Sequence, residues 1–432
     1  MPEEMRKFEY VVKVIKGVFK RYGFDPVETP AFENWELLKT KCGEEVERQI
    51  YKFEDKGGRE LGLRFDLTVP LARIIANNPS LPKPFKRYQI SRVWRYERPE
   101  AERRFREFWQ ADIDIVGSDK TACEAEVLAA ATDCLKKLGF NNFQIRLNNR
   151  KVLEGFAETI GIPKAKRNEV FRIIDKIGKI DLKDAKKEFR KELLGVDERE
   201  KKIENLLNFV EIKGKKGVLE KKDVKDALKK TIGEAGLTEL QRIIDRAEDF
   251  GVSEYIMVDL SLARGLDYYT GSIFEISVKG FEDVGSVVGG GRYDNLIDLY
   301  GGRPTPAVGI SLGIDRIVKL MERKDMFDLP KTNTKVFLAP VNEEMIRTSI
   351  KIAQILRKGG VSTEVEIMGR KLLDQLKYAD KKGIKFAVIV GESEVKDGYV
   401  VVRNMKTEKQ ERVRIDALQT FFKDSPQAIQ RS

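Results

Sequence analysis

YQISRVWRYERPEAERRFREFWQADIDIVG, residues 88–117, holds two runs with the alternation of a β-strand, joined by the short polar stretch RPEAER. Runs of this kind across a tight turn read as an antiparallel pair. Successive side chains of a strand point to opposite faces. The second run therefore separates Phe105, Trp109, Ala111, Ile113 and Ile115 from Arg106, Phe108, Gln110, Asp112 and Asp114. The first set reads as core. On the first run Arg95 and Glu97 share a face, so arginines, one phenylalanine, an amide and acids gather on one side of the pair. A solvated face laced with salt bridges is one reading. An aromatic ring in that company suits stacking on a flat base better, and a nucleotide site is expected here.

Working outward, LGLRFDLTVP (61–70) ends a strand with Asp66 and Thr68 two residues apart, before Pro70 near the start of a helix. A carboxylate and a hydroxyl on one side can accept hydrogen bonds from an ammonium group. Helix capping by Thr68 is the competing reading, and spacing leaves both open. LARGLDYYTGSIFE (262–275) sets Arg264 beside a glycine and follows it with Asp267, Tyr268, Tyr269 and a strand-like run. SVVGGGRYDNL (286–296) puts three glycines between a strand and a helix expected to begin near Arg292, either as a tight turn or to let a ligand approach the backbone. AVGISLGIDRIVKL (307–320) is a strand feeding a helix with Arg316 one turn in. The helix dipole disfavours a cation there, and a bound phosphate would reconcile the two.

Apolar spacing from Phe8 to Tyr22, stopped by Gly23, predicts an opening amphipathic helix, followed by the extended, proline-marked FDPVETPAFE. Residues 163–250 are rich in Lys, Glu and Leu/Ile at helical spacing and read as a helical insertion between two strand-rich stretches. After a linker near 325–333, VFLAPV, VSTEVEI, KFAVIVG and YVVVRNM alternate with helices from Glu343 to Lys358 and from Arg370 to Lys382, a small α/β domain.

The 432 residues contain no histidine, which excludes Ser-His-Asp hydrolysis, HExxH zinc chemistry and imidazole acid/base catalysis. The remaining chemistry works by positioning and fixed charge. Three scattered cysteines, Cys42, Cys123 and Cys134, form neither a disulfide framework nor a zinc knuckle. No apolar run approaches the ~20 residues of a membrane span. The start is charged where a secretory signal would be apolar, so a cytoplasmic protein is expected. A net charge of +11 suggests a polyanionic partner, against a merely solvated basic surface, and 35% charged residues is a pattern frequent in thermophile proteins.

Taken together these segments resemble the histidyl-tRNA synthetases, a class II aminoacyl-tRNA synthetase family, over nearly the whole chain. Residues 88–117 resemble motif 2 of the class, AVGISLGIDRI motif 3, and FDPVETPAFE around Pro30 motif 1, the dimer element. RGLDYYTG and GGGRYDNL resemble the two histidine-specific signatures. FDLT and the aspartate at 114 resemble archaeal and eukaryotic members more than bacterial ones, and the KGxRD-like segment usual before the first helix is not seen ahead of MPEEMRKFEY.

The resemblance implies an α+β fold: a class II antiparallel sheet flanked by helices, with a helical insertion and a C-terminal α/β anticodon-binding domain. It divides the chain into catalytic residues 1–162 and 251–325, an insertion at 163–250, and an anticodon-binding domain at 333–432. It implies a homodimer that joins L-histidine to tRNA(His), with ATP as substrate and Mg²⁺ on the phosphates, and no protein-held metal. Arg95 would hold the α-phosphate and substrate carboxylate, Glu97 and Phe108 the adenine, and Arg104 and Arg316 the outer phosphates. Arg264 would stabilise the α-phosphate as charge develops. Asp66, Thr68 and Gln110 would take the ammonium, while Asp114 and Tyr269, with Tyr268 alongside, would read the imidazole. Two rivals are weaker. A synthetase-like regulatory subunit of histidine biosynthesis would lack the C-terminal domain and motif arginines, and a nucleic-acid-binding factor on a dead synthetase fold would not keep an intact pocket.

Overall fold

The computed structural model describes residues 1–39, 47–97, 105–177, 180–263 and 268–424. The turn RPEAER with Arg104, the segment Arg264 to Asp267, and Cys42 lie outside them. The chain divides into two compact units, Lys7–Phe327 and a smaller one formed by Met1–Arg6 with Asp328–Ser432.

The larger unit is built on a nine-stranded sheet. Its strands are β1 (Asp25–Pro26), β2 (Phe85–Trp94), β3 (Glu107–Val116), β4 (Phe143–Asn149), β5 (Lys213–Gly214), β6 (Ile256–Asp259), β7 (Ser272–Val278), β8 (Val288–Arg292) and β9 (Ala307–Gly313). They lie in the order β1-β2-β3-β9-β8-β7-β4-β6-β5, antiparallel except for β1 on β2 and β4 on β6. β2 and β3 pair as expected, with Arg87 opposite Asp114 and Gln89 opposite Asp112.

One face of this sheet is apolar. Tyr88, Ala111, Ile113 and Ile115 join Val308, Ile310 and Leu312 in a continuous core with helices α1 (Pro2–Arg21) and α3 (Ala122–Lys137). α1 contributes Val11, Ile15, Val18 and Phe19, all fully buried, and each such side chain is worth about 1.5–3 kcal/mol, so packing rather than propensity holds this helix. The other face carries the polar residues, yet Asp112 and Asp114 are buried there too. The two faces of β3 therefore differ in what covers them, not in whether they are covered.

The insertion forms helices at Lys164–Lys176, Leu182–Glu192, Arg199–Val210, Lys222–Leu228 and Gly233–Asp249. Their buried residues belong to the same continuous core as the sheet, and β5, a two-residue strand within this stretch, extends the sheet by pairing with β6. The helix expected near Arg292 does not form. Beyond β8 the chain makes turns and one 3-10 turn at Asp298–Tyr300. Tertiary bonds hold the backbone off a helical path: Asp294 Oδ1 accepts from the Ala307 and Arg292 donors, and the Asp294 N–H donates to Thr270 Oγ1.

The smaller unit contains a five-stranded sheet in the order Thr363–Val365, Val336–Pro340, Phe386–Val390, Tyr399–Asn404, Gln410–Arg414, of which the first three are parallel. Val336–Pro340 is buried at every position, as a central parallel strand covered on both faces must be. Helices Glu344–Lys358, Leu372–Lys381, Glu392–Lys396 and Leu418–Asp424 complete it. The last of these and the edge strand Gln410–Arg414 carry no clear sequence signal. The strand exposes four of its five residues, so alternation has little to report.

Candidate active site

Two cavities adjoin on the polar face. The larger, about 900 Å³ and open to solvent, is walled by Arg95, Glu97, Phe108 and Arg316 over the backbone of β8 and β9. The smaller, about 430 Å³, is walled by Asp66, Thr68, Asp114, Tyr268, Tyr269 and Tyr293. Arg95, Gln110, Gly289 and Ser311 line both.

Arg95 is clamped where the cavities meet. Its guanidinium lies 4.2 Å from the Phe65 ring centre and 5.1 Å from that of Phe108, and Nε donates to the Phe65 carbonyl at 3.4 Å. Stacking on two rings fixes the plane of the fork where the cavities meet. Arg316 is the third residue of helix α4 (Ile314–Arg323), and its Nη1 donates to the Ser286 carbonyl at 2.6 Å. Asp315 beside it accepts the Trp109 N–H at 2.7 Å, which ties the helix start to β3.

In the smaller cavity Asp66 does the capping that the sequence offered to Thr68. Its Oδ1 accepts the Thr68 N–H at 3.1 Å and the Val69 N–H at 2.9 Å, opening helix α2 (Thr68–Asn77). Asp66, Asp112 and Asp114 are only 7, 3 and 2% exposed. Desolvation raises all three above the ordinary carboxyl range, Asp112 to about 7, while the buried Arg87 guanidinium pulls each back. The Tyr293 hydroxyl donates to Asp114 Oδ1. Tyr268 and Tyr269 pack at 4.8 Å between ring centres, and Tyr268 meets Tyr293 edge-on at 6.0 Å.

The floor is made of glycine. A Cβ on Gly309 would fall 1.9 Å from Asp114 Oδ1, and one on Gly291 would fall 2.7 Å from the Tyr269 ring. Both positions stand in one cross-strand row with Asp114 and Arg87. Hence the triple glycine is no turn: it is the strand β8, stripped of side chains so that an acid and a ring can lie across it.

Residues 1–317 match the family model of histidyl-tRNA synthetase, and residues 335–425 that of an anticodon-binding domain. A histidine–tRNA ligase of Pyrococcus furiosus is 39% identical over 432 residues, spanning 98% of this chain and 97% of its own. The chain belongs to the histidyl-tRNA synthetase family. One from Clostridium tetani is 38% identical, spanning 98% of this chain and 96% of its own, so overall identity does not follow the archaeal cast of FDLT and Asp114. The crystal structure of a histidyl-tRNA synthetase from a Nostoc species superposes with a TM-score of 0.82 at 33% identity, covering 98% of this chain and 96% of that one.

Of the family positions named from sequence, Arg95, Glu97, Phe108, Gln110 and Arg316 meet around the larger cavity, and Asp66, Thr68, Asp114, Tyr268 and Tyr269 around the smaller. Arg104 and Arg264 lie outside the described residues. Phe105, expected in the core, instead lines the larger cavity, because β3 begins only at Glu107 and the alternation does not extend back to it. Three residues of this site were given no role from sequence: Asp112 and Tyr293, which line the smaller cavity, and Arg87 behind it. Asp112 was placed on the polar face of β3, and Arg87 was recoverable by carrying that face along β2. Tyr293 stood inside GGGRYDNL but had no signal of its own.

Proposed function

We propose that the two cavities hold histidine and ATP side by side and that the chain forms histidyl-adenylate before passing histidine to tRNA(His). The observation that carries this reading is Arg95, which borders both cavities, where a substrate carboxylate and the α-phosphate would meet. A carboxylate oxygen attacks the α-phosphorus, a new P–O bond forms, and the bond to the leaving diphosphate breaks. No proton need move, so a protein without imidazole loses nothing. A ribose hydroxyl at the tRNA terminus then attacks the adenylate carbonyl, the bond from that carbon to the phosphate oxygen breaks, and AMP departs with the hydroxyl proton taken up by its phosphate.

In this reading Arg95 spans the carboxylate and α-phosphate, Phe108 and Glu97 take the adenine, and Arg316 with Arg104 takes the outer phosphates. Arg264 supplies charge to the α-phosphate as the transition state forms. Thr68, Gln110 and the Oδ2 of Asp66 receive the ammonium, Oδ1 being engaged by the helix. Asp114 and Tyr269, with Tyr268, face the ring. Mg²⁺ is assigned to the nucleotide's own phosphates, whose oxygens are the hard ligands it prefers.

A homodimer through the Phe24–Glu33 region and a cytoplasmic setting complete the proposal. Phe32 of that region is 51% exposed, and no described helix is long and apolar enough to cross a membrane. Histidine-dependent exchange of pyrophosphate into ATP tests the assignment. The parent protein is expected to catalyse it and Arg264→Ala to lose it with histidine affinity kept within severalfold, since that charge acts mainly in the transition state. Exchange that does not depend on histidine would overturn the reading.

A further inference from the structure

Arg87 lies behind the smaller cavity rather than in its lining, on β2 and in register with Asp114. It is fully enclosed, at 0% exposure. Its Nη2 stands 2.7 Å from Asp114 Oδ2 and donates at 3.1 Å to the carbonyl of Leu67, the residue between Asp66 and Thr68. Nε and Nη1 find no acceptor among the described residues. As a fastener this is poor. A buried ion pair is often replaceable by apolar groups without loss of stability, and unmet buried donors are costly. What the guanidinium does supply is one positive charge among three buried acids.

The groups that bear on Asp114 can be named. Arg87 reaches it from β2, Asp112 from two positions along β3, Asp66 from the start of α2, and the Tyr293 hydroxyl from the segment after β8. Arg95 offsets Asp66, and the Tyr268 and Tyr269 rings close the cavity. Arg87 is the cation in direct contact with the Asp114 carboxylate.

We propose that Arg87 is a positioning residue for substrate selection: it holds Asp114 as a fixed, ionised acceptor and so makes the pocket select a ring that donates an N–H. Without the guanidinium, burial favours the protonated acid, whose O–H donates where the ring needs an acceptor. Through the Leu67 carbonyl the same side chain also ties the ring end of the pocket to the Asp66–Thr68 end, so that side chain and ammonium are read at a set distance. The inference rests on reading the smaller cavity as the histidine pocket.

The test compares the parent with Arg87→Lys, Arg87→Met and the double variant Arg87→Met/Asp112→Asn in histidine-dependent pyrophosphate exchange between about pH 6.5 and 8.5, from the ring's reference pKa upward. Arg87→Met is expected to raise KM for histidine at least about tenfold at neutral pH, while KM for ATP stays near the parent's. The ratio of variant to parent KM, which cancels the substrate's own ionisation, should fall as pH rises and Asp114 ionises unaided. Arg87→Lys, which keeps a charge, should show a raised but flat ratio. If Arg87→Met does not fold, the double variant removes one acid with the cation and carries the same two readouts. A parent-like KM for histidine, an equal rise for ATP, or a ratio independent of pH in the Met variants would overturn the inference. Absence of histidine-dependent exchange in the parent would overturn the pocket reading itself.

Discussion

Gly309→Ala is a one-carbon change aimed at the floor of the smaller cavity. The added Cβ would lie 1.9 Å from Asp114 Oδ1, 2.7 Å from its Cγ and 3.1 Å from the Ile113 carbonyl oxygen. Carbon–oxygen contacts settle at about 3.3 Å or more, so the carboxylate must retreat by more than about 1 Å. It has little room to do so, being held at 2.7 Å by Arg87 and by the Tyr293 hydroxyl. A shift of that size takes at least one of these bonds out of reach. A hydrogen bond to a charged group is worth about 1.5–3 kcal/mol, so KM for histidine should rise roughly 10- to 150-fold. Gly309 does not line the larger cavity, and KM for ATP should stay near the parent's. Pyrophosphate exchange gives both constants, and a thermal melt confirms that the variant is folded. A folded Gly309→Ala protein with parent-like KM for histidine would refute the idea that the placing of the Asp114 carboxylate reads the ring.

Asp112, raised to about 7 by burial, keeps its proton in the fold from about pH 4 to 7, where the unfolded chain has released it, so its contribution to stability falls as pH rises through that window. Asp112→Asn should therefore raise Tm at pH 8 and leave it unchanged near pH 4, with a ceiling of about 4 kcal/mol from three units at 1.36 kcal/mol each; an equal gain at both pH values would mean the acid is not the cause. Removing residues 333–432 should weaken charging of tRNA far more than pyrophosphate exchange, measured side by side, and affinity of the whole chain for tRNA should drop steeply with salt. Equal loss of both activities would assign that region a structural role instead.

The faces of β2 and β3 were legible because a strand's period is two and its polar and apolar residues separate cleanly. Their burial was not. Whether Asp114 is solvated or enclosed is decided by Arg87, 27 positions earlier, and by Tyr293, 179 positions later, and no local pattern carries that distance. GGGRYDNL shows the same limit. Alone, three glycines suggest a turn; beside Asp114 and Tyr269 they are a strand that had to give up its side chains. Asp66 and Thr68, singled out together, both line the smaller cavity, but which of the two caps the helix depends on backbone geometry that spacing does not encode.

The smaller cavity is walled by carboxylates and phenols, with an arginine at its edge, and no position among the 432 residues is filled by histidine. A ribosome can therefore complete this chain without once drawing on histidyl-tRNA. When charged histidyl-tRNA runs short and messages carrying its codons stall, translation of these 432 residues does not wait on it. The catalyst that replenishes histidyl-tRNA can be extended through all of them while that product is scarce, outside the loop that it closes.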